Sequence, residues 1–509
     1  MPTRSLPQNP SLDHLKQQAK TLLRQVRAGE PAARMLVVEF HPRAAAALTA
    51  FRLADAQLAV ARQYGFASWP RLGAHLKVVV QYTRSPHRQL VGQPLSSPDA
   101  LADELLRLAC LTYGADSPTR LTGARELLAA HPDLSTANVY IMAALGEVAA
   151  LADLLARAPH LANQPGGPFS WEPLLYLAYA RIPDDPPRRS ILAVARLLLD
   201  AGADPNAGYL WEGLPSPFTV LTGAFGGGEG GQNQPSHQHC QELARLLLAA
   251  GADPNDSQTL YNRHFSPDDA HLELLLAHGL GRGAGGPWHA RLGSQLHAPA
   301  VLLQDQLVWA ARLGYADRVC LLLQHGVDVD GRGSQHPVVH GGTAYETAIV
   351  SGHTEIAALL RASGADPGTL DAVQTFLGTC LSGDRTAVDR LLAADPGLLA
   401  RSIAREPHAV IRAATTGRIA AVELLVALGF DVNAVGRASA LHEAAWAGHL
   451  PMVRALLALG ADATILDPTY HAPPLGWARH NQQHAVAALL EPLTGLVPGS
   501  PHAGEAAGG

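Results

Sequence analysis

The chain has 509 residues and a formal net charge of −6, with 47% hydrophobic and 5% aromatic residues. This length exceeds what one compact core usually supports, so several domains or an elongated array are expected. The four cysteines lie far apart without metal or redox spacing, and no apolar run reaches the length of a signal peptide or a membrane span, so we expect a soluble cytoplasmic protein.

The first part of the chain, residues 1–80, is predicted to be a basic helical module. Apolar residues recur at spacings of three and four, and Gly29 is expected to end the first helix. A second helix is predicted over residues 44–64. A third should follow Ser68, because a serine before Trp-Pro suits a helix start. Residues 81–100 contain three prolines and no periodicity, which predicts a linker.

Beyond the linker one pattern recurs. ARLLLDAGADPN at residues 195–206 returns almost unchanged as ARLLLAAGADPN at 244–255, and looser copies follow. Each copy is an apolar helical run, a glycine and a short acidic or amide turn. Glycine suits a left-handed turn, and Asp and Asn can hydrogen-bond the turn backbone. Once glycine-rich insertions near 223–239 and 281–299 are set aside, the period is about thirty-three residues.

One copy, ASALHEAAWAGHLPMVRALLALGADAT at residues 438–464, resembles the ankyrin repeat. The resemblance implies an all-α fold: an ankyrin-repeat solenoid of helix-turn-helix units with short hairpin loops, with about ten or eleven units between residues 101 and 493. Residues 494–509 are predicted to be a disordered tail. The phrases LKQQAK and GFASWP resemble a small helical module that precedes ankyrin arrays in bacterial proteins, which implies a bacterial source.

The resemblance also implies where a partner would bind. In ankyrin-type repeats, the two residues before the Gly-His pair and those at the hairpin tip commonly face the concave side. By position, eleven residues are assigned to this side: Trp446, Ala447, Val350, Ser351, Arg312, Leu313, Thr415, Thr416, Tyr209, Leu210 and Trp211. Exposed aromatic residues are typical interface anchors, although Trp446 and Trp211 have the alternative of packing against neighbouring repeats. The implied function is a non-catalytic protein–protein interaction scaffold, expected to be a monomer with a protein partner of unknown identity and no membrane contact.

The histidines provide few candidates for a metal or catalytic site. Three histidines match positions where the family's histidine is structural: His353, His442 and His449. His237, His239 and Cys240 form a cluster of metal-binding residue types, but a fourth ligand is missing nearby, so no metal is predicted. Neither a phosphate-binding loop nor a catalytic arrangement of side chains stands out, so we expect no cofactor and no enzyme.

The basic module suggests an alternative function. Residues 1–85 hold twelve basic and four acidic side chains, a net charge of +8. The segment 53–76 resembles a helix-turn-helix in outline, with Gly65 at the turn, so a nucleic-acid-binding regulator with the array as its protein-sensing part is the alternative. Against it, any helix–Gly–helix pair looks similar, and Trp69 and Pro70 are unusual on a base-reading helix. Docking against the array, or contact with an acidic protein, are the other interpretations of the module.

Overall fold

The computed structural model describes residues 6–7, 10–89, 97–114, 116–183, 185, 187–334 and 341–494. The described chain is mostly helical, and it divides into two compact units, Met1–Gln306 and Leu307–Gly509. Among these residues, no helix is both long and apolar enough to cross a membrane. The predicted disordered tail lies outside the described residues from position 495 onward.

The first unit begins with five helices: α1 (Leu12–Arg27), α2 (Pro31–Phe40), α3 (Ala44–Thr49), α4 (Leu53–Gln63) and α5 (Trp69–Tyr82). The start of α5 is as predicted, since the Ser68 hydroxyl accepts a hydrogen bond from the amide of Arg71 at 3.4 Å. The helix predicted over 44–64 is divided into α3 and α4. Phe51 turns into the core at the break, and the Asp55 carboxylate accepts a hydrogen bond from a backbone amide there at 2.8 Å. Helix α2 has no counterpart among the predicted elements.

The rest of the first unit consists mainly of stacked helix pairs. Its helices are α6 (Pro98–Ala109), α7 (Pro118–Ala130), α8 (Val139–Leu145), α9 (Val148–Arg157), α10 (Pro173–Tyr179), α11 (Ile191–Asp200), α12 (Val220–Phe225), α13 (Cys240–Ala249), α14 (Ser257–Arg263), α15 (Ala270–Ala277) and α16 (Pro287–Leu292). Helix α17 (Pro299–Leu313) begins in this unit, and its residues from Leu307 onward belong to the second. Helices α8, α10, α12 and α14 pack in one row, and α9, α11, α13 and α15 pack in a second. Stacking joins apolar faces that are too small to be stable alone.

Three short strands form a sheet in the first unit, in the order β1 (Thr83–Arg84), β2 (Gly208–Trp211) and β3 (Pro217–Thr219). Strand β1 runs parallel to β2, with Thr83 opposite Leu210. Strands β2 and β3 are antiparallel, with Tyr209 opposite Phe218. The stretch 81–100, predicted as a linker, therefore contains a strand that is hydrogen-bonded to the repeats.

The second unit also consists mainly of helix pairs. Its helices are α18 (Ala316–Gln324), α19 (Ala344–Val350), α20 (Thr354–Ala362), α21 (Ala372–Ser382), α22 (Arg385–Ala394), α23 (Leu398–Arg405), α24 (Ala409–Thr415), α25 (Ile419–Ala427), α26 (Ala440–Trp446), α27 (Leu450–Ala458), α28 (Pro474–His480) and α29 (His484–Leu490). Helix α19 packs on α21, and α24, α26 and α28 pack in succession. Helices α19, α21, α24, α26 and α28, together with the end of α17, are the first helices of their pairs, and we call them the inner row. Helices α25, α27 and α29 belong to the outer row. Helix α23 is an addition that packs on α21.

The turns that follow the second helices join neighbouring repeats. Gly202 has a φ of 87°, the left-handed value predicted for the turn glycine. Asn206 then spans to the next turn: its Nδ2 donates to the carbonyl oxygen of Gly251 at 2.9 Å, and its Oδ1 accepts from the amide of Asp253 at 2.8 Å. Asn433 makes the same two bonds to the turn after it, at 3.1 and 2.8 Å. The turn residues therefore connect repeats as well as closing their own turns.

Candidate functional site

The aromatic hairpin after Gly202 is part of the core. The prediction that Tyr209 and Leu210 are exposed is wrong, since their exposed fractions are 1% and 0%. Strand β2 is covered because it has a strand on either side, and the Tyr209 ring stacks on Trp171 with a centroid distance of 5.0 Å. Trp211 is partly buried: its Nε1 donates to the carbonyl oxygen of Thr112 at 3.0 Å. Trp211 had two alternatives, contact with a partner and packing against neighbouring repeats. The structure shows packing within the fold.

The first glycine-rich insertion has a defined conformation. The amide of Gly227 donates to the carbonyl oxygen of Gln234 at 2.8 Å, so the loop closes on itself. Gly223 lies against an aromatic ring, and a Cβ at this position would be 2.4 Å from Tyr179. Glycine is therefore needed here for close packing of helix α12.

The histidines of this region belong to the same loop. His237 is buried, and its Nδ1 accepts a hydrogen bond from the amide of His239 at 3.0 Å. Among the described residues, no group of three or more His, Cys, Asp or Glu side chains could hold a metal ion. The cluster of His237, His239 and Cys240 thus gives no metal site in this part of the chain.

The second glycine-rich insertion attaches the basic module to the repeats. The amide of Gly286 donates to Oδ2 of Asp253 at 2.7 Å, which fixes the insertion on a repeat turn. Trp288 follows, is buried, and donates from Nε1 to the carbonyl oxygen of Asn206 at 3.0 Å. The Trp288 ring also meets the ring of Tyr82 edge-on at 5.0 Å, and Arg291 lies over both rings. The insertion therefore connects α5 to the repeats, and we call this connection, formed by Trp288, Tyr82 and Arg291, the clasp.

Helix α5 is the one that a helix-turn-helix would place in a DNA groove. Its Val79 packs with Leu210 and Trp288 in a small apolar cluster, so the end of the helix is covered by the repeats. Arg71 and Lys77, on the same helix, are exposed. The covered portion of α5 is not accessible to a nucleic acid in this arrangement.

The three repeat histidines are structural, as predicted. His442 is fully buried; its Nδ1 lies 2.7 Å from the Ser439 hydroxyl and its Nε2 lies 3.0 Å from the carbonyl oxygen of Ala472. His449 accepts a hydrogen bond on Nδ1 from a backbone amide at 3.1 Å. His353 contacts the carbonyl oxygen of Arg312 through Nε2 at 3.1 Å. Each ring therefore bonds a backbone group, within its own helix start or in a neighbouring repeat.

The remaining eight residues assigned to the partner side lie at the ends of the inner-row helices in the second unit. Four of them are exposed: Thr415, Thr416, Trp446 and Ala447. The other four are partly buried: Arg312, Leu313, Val350 and Ser351. The structure thus brings one set of predicted residues to equivalent ends of successive helices, and it places the hairpin residues elsewhere.

Trp446 is the largest exposed side chain of this set, with 41% of its surface exposed. Its ring meets Trp477 edge-on at 5.9 Å and stacks on His480 at 5.7 Å. Asn481 donates from Nδ2 to the carbonyl oxygen of Trp446 at 2.7 Å. The indole is therefore held in place by the next repeat while one part of it remains accessible. We call Trp446, Trp477 and His480 the aromatic patch.

Arg412 was missed by sequence reasoning. It lies on α24, one helical turn before Thr415, at a position outside the pair that the repeat motif marks. Its Nε is buried and has no hydrogen-bond partner. Burial lowers the pKa of the Arg412 guanidinium, and the more distant Glu406 offsets part of this effect. An arginine among the small residues of IRAATTGR was the available signal.

The stacking of successive helix pairs defines the structural class of this protein. Comparison with protein families narrows this class for part of the chain: residues 377–467 match the family model of ankyrin repeats in three copies. The fold is therefore all-α and contains ankyrin repeats, and the matched segment carries Arg412, Thr415, Thr416 and Trp446. Comparison with curated proteins found no match to this chain.

Proposed function

We propose that the protein is a non-catalytic interaction scaffold that binds a partner protein on the inner row of its second unit. Ankyrin repeats are generally protein–protein interaction modules, and they are typically not catalytic. The observation that carries the proposal is the accessible, fixed indole of Trp446. A partly exposed aromatic side chain that needs no further ordering can contribute to binding at a low entropic cost.

The neighbouring side chains suit the same role. Thr415, Thr416 and Ala447 are small and exposed at the ends of the neighbouring helices α24 and α26, so they leave room for a partner chain. The Thr415 and Thr416 hydroxyls already donate to carbonyl oxygens of their own helix, at 2.8 and 3.2 Å. Their hydroxyl protons are therefore already used within the helix, so these side chains offer a partner acceptor oxygens and methyl groups but no free donor.

A cytoplasmic scaffold is consistent with the chemistry of the cysteines. All four are free thiols, and burial raises the pKa of Cys110 and of Cys380 to about 12. Such thiols are inert and fit a reducing compartment.

Site-specific photo-crosslinking of the full-length chain tests the proposal. A benzophenone side chain at Ala447 should crosslink a discrete partner in cells, and Trp446→Ala should abolish that crosslink. The matched control places the same group at Arg454, an exposed residue on outer-row helix α27. Equal crosslinking from both positions, or a product unaffected by Trp446→Ala, would contradict binding on the inner row.

A further inference from the structure

Helix α1 carries more positive charge than any other helix among the described residues. Its basic residues, which we call the basic row, are Lys16, Lys20, Arg24 and Arg27. All four are exposed, and no other described helix has more than two lysines or arginines. Asp13 is the only acidic residue on α1. The positive charge of the N-terminal module is therefore concentrated on this helix.

The basic row lies along one side of α1. Its spacings of four, four and three positions bring successive side chains to nearly the same side of a helix with 3.6 residues per turn. The buried residues of α1 lie on another side and pack in the core of the module: Leu15, Ala19, Leu22 and Val26. At a rise of 1.5 Å per residue, the row is about 17 Å long. It thus forms a straight, accessible line of cations.

The charges of the row are largely uncompensated. Lys16 pairs with Asp13 at 2.9 Å, but a pair between exposed side chains is weak. Arg24 donates to the hydroxyl oxygen of Thr21 at 3.2 Å, and Arg27 donates to the carbonyl oxygen of Phe51 at 3.3 Å; both acceptors are neutral. A single exposed cation without a carboxylate partner is ordinary. Four cations in one line beside one acid are not, and such a line attracts an extended anion.

The other residues of this surface indicate the class of partner. Outside the row, the exposed residues of α1 are polar: Asp13, His14 and Gln17. The most exposed apolar residues of the module lie on α2 and α5: Met35, Val38 and Val80. Binding to a membrane surface normally combines basic residues with apolar side chains that enter the interface, and a protein interface normally needs a large apolar or aromatic anchor. A line of cations without such side chains instead matches a regular line of phosphates.

We infer that the basic row is a binding surface for the phosphate backbone of a duplex nucleic acid. A B-form duplex carries one phosphate charge per about 1.7 Å of its axis, so a row about 17 Å long has several phosphates within reach of its four side chains. Contacts of this kind position a protein on a duplex without reading its sequence. The inference goes beyond the proposed function and does not depend on it. It also differs from the helix-turn-helix interpretation, because the contacting helix is α1 and not α5.

The distribution of charge along the chain supports a local site. Residues 1–85 carry a net charge of +8, whereas the whole chain carries −6, so the remaining residues carry −14. An acidic protein repels a polyanion unless its positive charge is gathered on one surface. Attraction of a nucleic acid to this chain therefore depends on the module, and it should weaken steeply with added salt because the released counterions drive the binding.

The salt dependence of duplex binding by the full-length protein tests the inference. The probes are a fluorescein-labelled DNA duplex of about 20 base pairs and an RNA duplex of the same sequence, with binding followed by fluorescence anisotropy from about 20 to 200 mM NaCl. For four phosphate contacts on DNA, the slope of the logarithm of the association constant against the logarithm of the salt concentration should be about −3.6. Binding of either duplex with a comparable slope supports the inference, and the tighter of the two identifies the source of the phosphates.

A double variant removes two adjacent charges from the row. Lys20→Gln together with Arg24→Gln keeps good helix formers on α1, so the module should stay folded. The slope should become shallower by about two units, and the affinity at the lowest salt concentration should fall by roughly 10-fold or more. Lys20→Arg with Arg24→Lys keeps both charges and should retain the slope of the parent protein. The matched control, Arg390→Gln with Arg454→Gln, removes the same charge from exposed positions on α22 and α27 and should leave the slope unchanged.

Three results of these measurements would overturn the inference: no binding of either duplex at the lowest salt concentration, an unchanged slope in the Lys20→Gln and Arg24→Gln variant, or an equal change in the matched control. Tighter binding of polyglutamate than of a duplex with the same number of charges would overturn it in favour of an acidic protein. Binding to vesicles of phosphatidylcholine and phosphatidylserine, without binding to either duplex, would overturn it in favour of a membrane surface.

Discussion

The guanidinium of Arg418 donates a hydrogen bond to Nδ1 of His353 at 2.8 Å, across 65 positions of sequence. The same guanidinium nitrogen lies 2.7 Å from Nε2 of His353, and Nε2 also lies 3.1 Å from the carbonyl oxygen of Arg312. The tautomer with its proton on Nε2 lets the ring donate to that carbonyl and accept from Arg418 on Nδ1. Arg418 also donates to the carbonyl oxygens of Ser351 at 2.6 Å and Leu381 at 3.0 Å. These carbonyls end inner-row helices, where a cation is favoured. Arg418 occupies the position of the repeat histidine and connects three repeats.

Loss of this arginine should destabilise the second unit. Arg418→Ala removes hydrogen bonds from a charged donor to two carbonyl oxygens and an imidazole, and leaves those acceptors unpaired. We expect the free energy of unfolding to fall by about 2–4 kcal/mol. Urea denaturation followed by circular dichroism measures it, with Arg454→Ala as the exposed control. An unchanged urea midpoint for Arg418→Ala would show that the three contacts contribute little.

The pKa of His353 predicts a dependence of stability on pH. Burial, and then the charge of Arg418, lower the pKa of His353 to about 4. The unfolded chain, with an ordinary histidine pKa near 6.5, therefore binds a proton between about pH 6.5 and 4 that the folded chain does not. The contribution is fully present above pH 6.5 and is lost as the pH falls through this window. Urea midpoints at several pH values should thus fall less steeply for His353→Gln; an identical slope would contradict the lowered pKa.

Two helical glycines should respond in opposite ways to the same substitution. A Cβ on Gly378 of α21 would lie 2.0 Å from the carbonyl oxygen of Ile349, while a Cβ on Gly73 of α5 would have no atom within 4 Å. Gly378→Ala should therefore push α21 away from α19 and cost about 1–3 kcal/mol. Gly73→Ala should stabilise its helix by about 0.5–1 kcal/mol, since alanine loses less backbone freedom. Thermal unfolding of both variants checks the signs, and the same sign for both would refute the close approach of α21 and α19.

The clasp formed by Trp288 can be tested by proteolysis. Trp288→Ala removes a buried indole, its hydrogen bond to Asn206 and its contact with Tyr82. A cost of about 3–5 kcal/mol is typical for such a truncation. We expect faster cleavage between α5 and α6 under limited trypsin digestion, because the module is released from the repeats. Trp446→Ala, at an exposed site, should leave the digestion pattern unchanged, and equal patterns for Trp288→Ala would argue against the clasp.

Local features of the fold were predictable from the sequence. The turn at Gly202 and the start of α5 at Ser68 depend on residues within one helical turn, so propensity and capping rules place them correctly. The same rules apply to the structural role of His442, whose hydrogen bonds follow from its repeat position.

Features that depend on distant residues were not predictable. Tyr209 is buried because its ring packs against Trp171 and Tyr179, which lie about thirty or more residues earlier, and no local pattern carries that information. The insertion at 281–299 interrupts the repeat pattern, and nothing in its composition shows that it is held by the turn at Asp253 and by Tyr82.

The contact between Tyr82 and Trp288 also has a consequence for folding during synthesis. Tyr82 leaves the ribosome about two hundred residues before Trp288, which at roughly 5–20 residues per second amounts to about 10–40 s. During that interval the five-helix module has its own buried core but lacks the repeat surface that covers Val79 and Tyr82. Nascent chains stalled before residue 288 should therefore expose an apolar patch at the end of α5 that full-length chains conceal, and this interval is when a chaperone would find it.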